Sequence, residues 1–241
     1  MIEVALGAFA IAALAAFAQS VSGFGSALVA VPLLSVLAGP RAAVVTITAL
    51  SIAMTALATA RERRHVQWRV AGTLAATGLI GMPVGLLLLT SLGARPLTLL
   101  IAALVLVVTV MLASGWSAQP GPWARRSAGV LSGAMLTSTG MNGPPLVITL
   151  HALRLRADAF RATLQAVFCV QDVAAVAGFV AVGQLNRTVL VAVAAGLPGL
   201  PMGWLLGDRV FTRIDQHVFR RVVLGMLVIS AVAAGASAII G

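Results

Sequence analysis

Ser22-Gly23-Phe24-Gly25-Ser26 interrupts a run, residues 4–40, that carries no Asp, Glu or Arg. One helix through those 37 residues would be about 55 Å long, nearly twice the ~30 Å hydrocarbon core of a bilayer. A second run, 127–153, is interrupted in the same manner by Thr139-Gly140-Met141-Asn142-Gly143-Pro144-Pro145. Glycine frees the backbone and proline removes a donor, so neither stretch continues a helix. Each run is expected to form two short helices joined by a break. Irregular backbone survives at membrane depth only where it is buried in protein or lines a cavity.

Charge divides the rest of the chain. The runs 42–60, 70–94, 96–124, 188–207 and 222–241 carry no Asp, Glu or Arg, and 162–186 is interrupted only by Asp172. Most of them fit one helix of about 20 residues, the length that crosses a bilayer. With 60% hydrophobic and 9% charged residues, the chain cannot cover a water-facing surface, since a soluble domain is about a quarter charged. That excludes an ordinary cytosolic enzyme, a secreted disulfide scaffold and a disordered chain. The period-2 alternation of a barrel is absent, which leaves helices to satisfy the backbone in lipid. The single cysteine, Cys169, excludes an internal disulfide or a cysteine-based metal cluster. The expected fold is an all-α polytopic membrane protein.

The chain also matches itself. Leu79-Ile80-Gly81-Met82-Pro83-Val84-Gly85 aligns with Leu197-Pro198-Gly199-Leu200-Pro201-Met202-Gly203, and the break at Gly23 aligns with that at Gly140. Two repeats follow. Residues 1–118 hold a broken pair, 2–38, and spans 42–60, 70–90 and 96–114. Residues 119–241 hold a broken pair, 124–153, and spans 158–182, 188–207 and 218–240. A broken pair that returns to its own side adds no crossing, and three spans are an odd number, so the second repeat is expected to be inverted. Arginine placement agrees. With loop 61–69 in the cytoplasm, 115–126, 153–161 and 208–221 join it, and these loops hold thirteen arginines against Arg41, Arg95 and Arg187 on the other side. Such a bias orients membrane proteins. It accounts for the net charge of +10 without nucleic acid, and it places both termini outside. Inverted repeats with broken helices are the architecture of secondary transporters, whose half-helix N-termini point at a substrate near the midplane. Helix dipoles and free N–H groups there favour an anion.

Gly23-Phe24-Gly25-Ser26 with Pro32-Leu33, repeated as Gly140-Met141-Asn142-Gly143-Pro144-Pro145-Leu146, resembles the TauE/SafE family of sulfite exporters. The paired LxGxPxG segments strengthen the likeness, which covers nearly the whole chain. The resemblance implies a bacterial inner-membrane permease for sulfite, sulfoacetate or a related organosulfonate.

The breaks supply the candidate substrate-binding residues: Ser22, Gly23, Phe24, Gly25 and Ser26 in the first repeat, and Thr139, Gly140, Asn142 and Gly143 in the second. A sulfonate presents three acceptor oxygens, and backbone N–H groups, hydroxyls and the Asn142 amide are donors that match them. The same glycines also serve close helix packing, as small residues do in membranes. Gln171 is a further candidate donor. Asp172 is the one acid inside an expected span. A carboxylate at the bilayer centre is costly and points to function, here proton coupling or gating. It also fits a neutral acid that makes a packing hydrogen bond. Arg41 is a candidate mouth residue or a side chain snorkelling to the interface.

No metal or cofactor site is expected: His65, His151 and His217 lack ligand spacing, and GxxxxGK[ST] needs a lysine that the chain does not contain. The expected partners are a small anionic substrate and the lipid bilayer. An anion channel and a proton-coupled importer stay open beside the exporter. An intramembrane hydrolase would need HExxH, which is absent, or a serine–histidine pair such as Ser138 and His151, which nothing orients.

Overall fold

A computed structural model describes residues 2–22, 24–114 and 121–211, and the expected span 218–240 lies outside them. Every regular element among the described residues is an α-helix: α1 (Ile2–Ser22), α2 (Ser26–Ala38), α3 (Pro40–Glu62), α4 (Trp68–Ser91), α5 (Ala94–Ser114), α6 (Pro122–Thr139), α7 (Gly143–Ala152), α8 (Ala157–Ala181), α9 (Arg187–Gly196) and α10 (Gly199–Phe211). α1, α3, α4 and α8 are long and apolar enough to cross a membrane. Ile80, Val84 and Leu87 stand exposed along α4, as do Leu106, Val107 and Val110 on α5. Outward-facing apolar stripes of this kind suit lipid and not water. The chain is a multi-pass helical membrane protein.

Both interruptions fall at the quoted motifs. α1 stops at Ser22 and α2 starts at Ser26, while α6 stops at Thr139 and α7 starts at Gly143. Gly25 (φ 101°) and Gly140 (φ 76°) take left-handed backbone, which costs a residue with a Cβ about 1–2 kcal/mol. One expectation needs correction. α1 is not a short half-helix, since its 21 residues span about 32 Å. Ala-rich sequence from Ile2 to Ala18 offers nothing to end it before the glycines.

A second correction concerns 188–207. It is not one straight helix but the pair Arg187–Gly196 and Gly199–Gly207, bent by 43°. Pro198 has no N–H to continue the ladder, and glycines stand on both sides of Leu197-Pro198.

Hydrogen bonds and close contacts fix the helix directions. Ser51 of α3 bonds Asp172 of α8, and Glu62 bonds Arg161, so α3 and α8 run antiparallel. α4 and α6 run parallel: a Cβ on Gly81 would meet the Val130 carbonyl, and one on Gly85 the Ala134 carbonyl. α1 and α10 are parallel by the same test, through Gly203 on Ala13 and Gly207 on Phe17 and Ser20. One end of the bundle therefore gathers the α3 C-terminus and the N-termini of α4, α6 and α8. The Glu62–Arg161 ion pair lies there, as do Arg69 beside Arg125 and Arg126, and Arg61 beside Trp204.

Arg41 belongs to the opposite end. Its guanidinium donates to the carbonyls of Thr90 (3.0 Å) and Leu92 (2.7 Å), where α4 ends. A cation there satisfies orphan carbonyls and complements the helix dipole. The arginine caps a neighbouring helix and does not snorkel freely. Arg41→Met is expected to cost about 1–2 kcal/mol, a fall of about 4 °C in thermal midpoint, read by heating the purified protein in detergent. An unchanged midpoint would remove the capping role.

Candidate functional site

The two breaks, more than a hundred residues apart in sequence, line one pocket. Its walls include Gln19, Phe24, Gly25, Ser26, Asn142 and Gly143. Ser51 and Phe168 close it from α3 and α8. Ser51 is the central residue of α3, and Phe168 lies beside the centre of α8, so the pocket sits at mid-height of the two most buried of the four apolar spans. The pocket leaves about 20 Å³ for the centre of a water-sized sphere, room for one or two waters. A polyatomic ligand requires its walls to part.

Local sequence explains its polarity. α2 begins after Gly25 with no side-chain cap, and its first intrahelical bond is Val29 N–H to the Gly25 carbonyl (3.3 Å). The amides of Ser26, Ala27 and Leu28 thus lack acceptors within the helix, as the first turn of any helix does, and all three residues line the pocket. α7 is also uncapped, yet Pro144 and Pro145 have no N–H to offer. The donor-rich half-helix is therefore α2.

Not every expected residue faces this space. Phe24, Gly25, Ser26, Gly140, Asn142 and Gly143 do. Thr139 does not: its hydroxyl donates back to the Met135 carbonyl at 2.8 Å. Gln171 stands behind the pocket, fully buried. Its Oε1 accepts from Ser132 Oγ (3.0 Å) and Asn142 Nδ2 (3.2 Å), and its Nε2 donates to the Leu74 carbonyl (3.4 Å). Gln171 holds the second break against α4, α6 and α8. Asp172 is 2% exposed and is also absent from the lining. Its Oδ2 accepts from Ser51 Oγ (2.9 Å) and Thr55 Oγ1 (3.5 Å), so Ser51 separates it from the pocket. The Ser22 side chain and Gly23 lie outside the described residues. Among the described residues no group of His, Cys, Asp or Glu is arranged to hold a metal.

Gln19 was missed in the sequence and is central here. It lines the pocket and is 2% exposed. Its Nε2 donates to Gln165 Oε1 at 3.3 Å, and its own Oε1 is buried with no partner. The signal was available: Gln19 is the single amide side chain in run 4–40, one turn before the break.

A multi-pass bundle with two interrupted helices facing one polar pocket has the build of a membrane transporter. The model of the family described as "Sulfite exporter TauE/SafE" matches residues 8–234, and the chain belongs to that family. It is a transporter and not an enzyme. The chain is 30% identical over 234 residues to the probable sulfite/organosulfonate exporter TauE of Cupriavidus necator, covering 92% of this chain and 90% of that protein. No solved structure matches it.

Proposed function

We propose that this chain is a secondary permease that exports a small oxyanion, sulfite or an organosulfonate, across the bacterial inner membrane. The observation that carries this reading is the shared pocket: both breaks line it, and the uncapped N-terminus of α2 faces it. Three first-turn amides of α2, the Asn142 amide and the Ser26 hydroxyl are donors suited to a sulfonate's oxygens. Turning the Gln19 and Gln165 amides together by half a revolution would add the Gln19 NH₂ group to that set and keep their mutual bond, then donated by Gln165. The printed name of the Cupriavidus necator relative supports the same substrate class.

The repeats 1–118 and 119–241 are, in this reading, inverted copies. α3 and α8 start 117 residues apart (Pro40 and Ala157), as do α2 and α7 (Ser26 and Gly143). That α3 and α8 are antiparallel supports the inversion. Each repeat's first helix packs in parallel on the other's glycine-bearing span. The arginine-rich end is cytoplasmic by the positive-inside bias, and both termini are periplasmic. Export then runs with the membrane potential, gaining about 2.3 kcal/mol per negative charge per 100 mV. The contracted pocket favours a carrier that opens alternately over an open pore.

Proteoliposomes loaded with radiolabelled sulfite test this. Outward flux should saturate, and sulfoacetate should compete. Asn142→Leu should lower flux at least tenfold, because it removes a pocket donor and strips Gln171 of a partner. Thr139→Val should leave flux near wild type. Failure of sulfite and organosulfonates alike to move, or flux linear in concentration, would overturn the proposal.

A further inference from the structure

A second, basic cavity lies at the arginine-rich end, away from the central pocket. A cavity lined by Arg69, Val70, Thr73, Leu74, Arg125 and Arg126 leaves about 230 Å³ for the centre of a water-sized sphere, over tenfold the room of the central pocket. Arg69 stands on the first turn of α4, and Arg125 and Arg126 stand where the first turn of α6 passes into its second. These helices run parallel, so two positive helix ends converge where three guanidiniums already stand. No carboxylate is among the residues that line the cavity, and of the nearest acids described, Glu62 pairs with Arg161 and Asp158 with Arg156. Arg126 also lies over the Trp123 ring, 5.2 Å from its centroid, which holds its guanidinium in place. Trp68 and Trp123 are both largely exposed beside the cavity, as aromatic rings are at the headgroup level.

We propose that this crevice binds a phosphate-type oxyanion, carried by an anionic phospholipid headgroup or free in solution. Basic pockets between helices on the cytoplasmic side recognise lipid headgroups by this chemistry. Three guanidiniums with planar donor forks suit an oxyanion with several acceptor oxygens. Neither helix end carries a side-chain cap to compete for the ligand.

Two measurements on the full-length protein separate the sources. In a Trp116→Phe, Trp204→Phe background, in bilayers of phosphatidylcholine with increasing brominated phosphatidylglycerol, tryptophan quenching reports the lipid beside Trp68 and Trp123. In a phosphatidylcholine-only background, equilibrium dialysis with labelled inorganic phosphate reports a free anion. Phosphatidylglycerol preference that falls about fivefold for each arginine changed to glutamine identifies a headgroup site. Phosphate binding that R69Q/R125Q/R126Q abolishes, without lipid preference, identifies a free-anion site. A variant with lysine at all three positions should retain part of either signal, which separates lost charge from lost fold. If wild type shows neither preference nor phosphate binding, or if the glutamine variant matches wild type, the proposal is wrong. Asn142→Leu should leave both readouts unchanged, so that failure of the export reading and failure of this site are distinguishable.

Discussion

Gly85→Leu is expected to leave no monodisperse protein. A Cβ at Gly85 would fall on the Ala134 carbonyl and the Thr137 hydroxyl of α6, and a Cβ at neighbouring Gly81 would fall on the Val130 carbonyl. These obstacles are mostly backbone, so no rotamer change relieves them, and α4 and α6 must separate. Overpacking in a core costs about 1–3 kcal/mol where side chains can adjust. Here the loss extends further. Lipid supplies no hydrophobic drive to hold helices together, and close packing through small residues does that work. The second repeat repeats the device: Gly203 of α10 lies against the Ala13 carbonyl, so Gly203→Leu should fail in the same way. Gly72→Leu is the control. It lies on the same helix as Gly85, exposed, with nothing within 4 Å of its Cβ, and leucine is the better helix former. Size-exclusion of fluorescent fusions in detergent reads all three. A sharp, heat-stable Gly85→Leu peak would show that the α4–α6 crossing is not needed for folding.

That crossing also shows where sequence reading succeeds and where it stops. The breaks were legible because they are local chemistry: glycines that reach positive φ and prolines that lack a donor interrupt a helix whatever surrounds them. The LxGxPxG pair was legible as a repeat, but not as a helix-crossing device, because the carbonyls it meets lie about fifty residues away from Gly85 and far earlier in the chain from Gly203. In the second copy, proline at 198 also bends the span, which its counterpart Ile80 does not. Thr139 looked like a ligand donor, yet a buried threonine in a helix readily bonds the carbonyl one turn back, and sequence alone does not decide between the two. The Gln19–Gln165 contact joins residues 146 apart in the chain. Its existence depends on the return of α8 past the end of α1, a tertiary fact that no periodicity encodes.

Asp172→Asn is expected to abolish the pH dependence of organosulfonate flux while leaving the protein folded. Ser51 lines the pocket and donates its hydrogen to Asp172 Oδ2 at 2.9 Å. A hydroxyl has one hydrogen. While Asp172 is ionised, that hydrogen points away from the pocket, and the carboxylate repels any anion there. Two like charges about 6 Å apart at an effective dielectric of 20 repel by about 3 kcal/mol, roughly a hundredfold in affinity. Once protonated, Asp172 can donate to Ser51 Oγ, and the serine hydrogen turns to the substrate. Proton uptake and anion binding are then coupled, so flux should rise with acidification. Asparagine keeps the shape, cannot ionise, and offers Nδ2 as a permanent donor to Ser51, so the variant should carry flux at the acid-limb level at every pH. Ser51→Ala should keep the part of the pH response that comes from charge repulsion, with flux lowered at every pH by the missing donor. Methanesulfonate is the right probe, since its charge is constant across the range whereas sulfite itself titrates. The measurement is initial flux in proteoliposomes from pH 5 to 9, with equal internal and external pH. If Asp172→Asn follows the wild-type profile, Asp172 is a packing residue held by Ser51 and Thr55, and its protonation gates nothing.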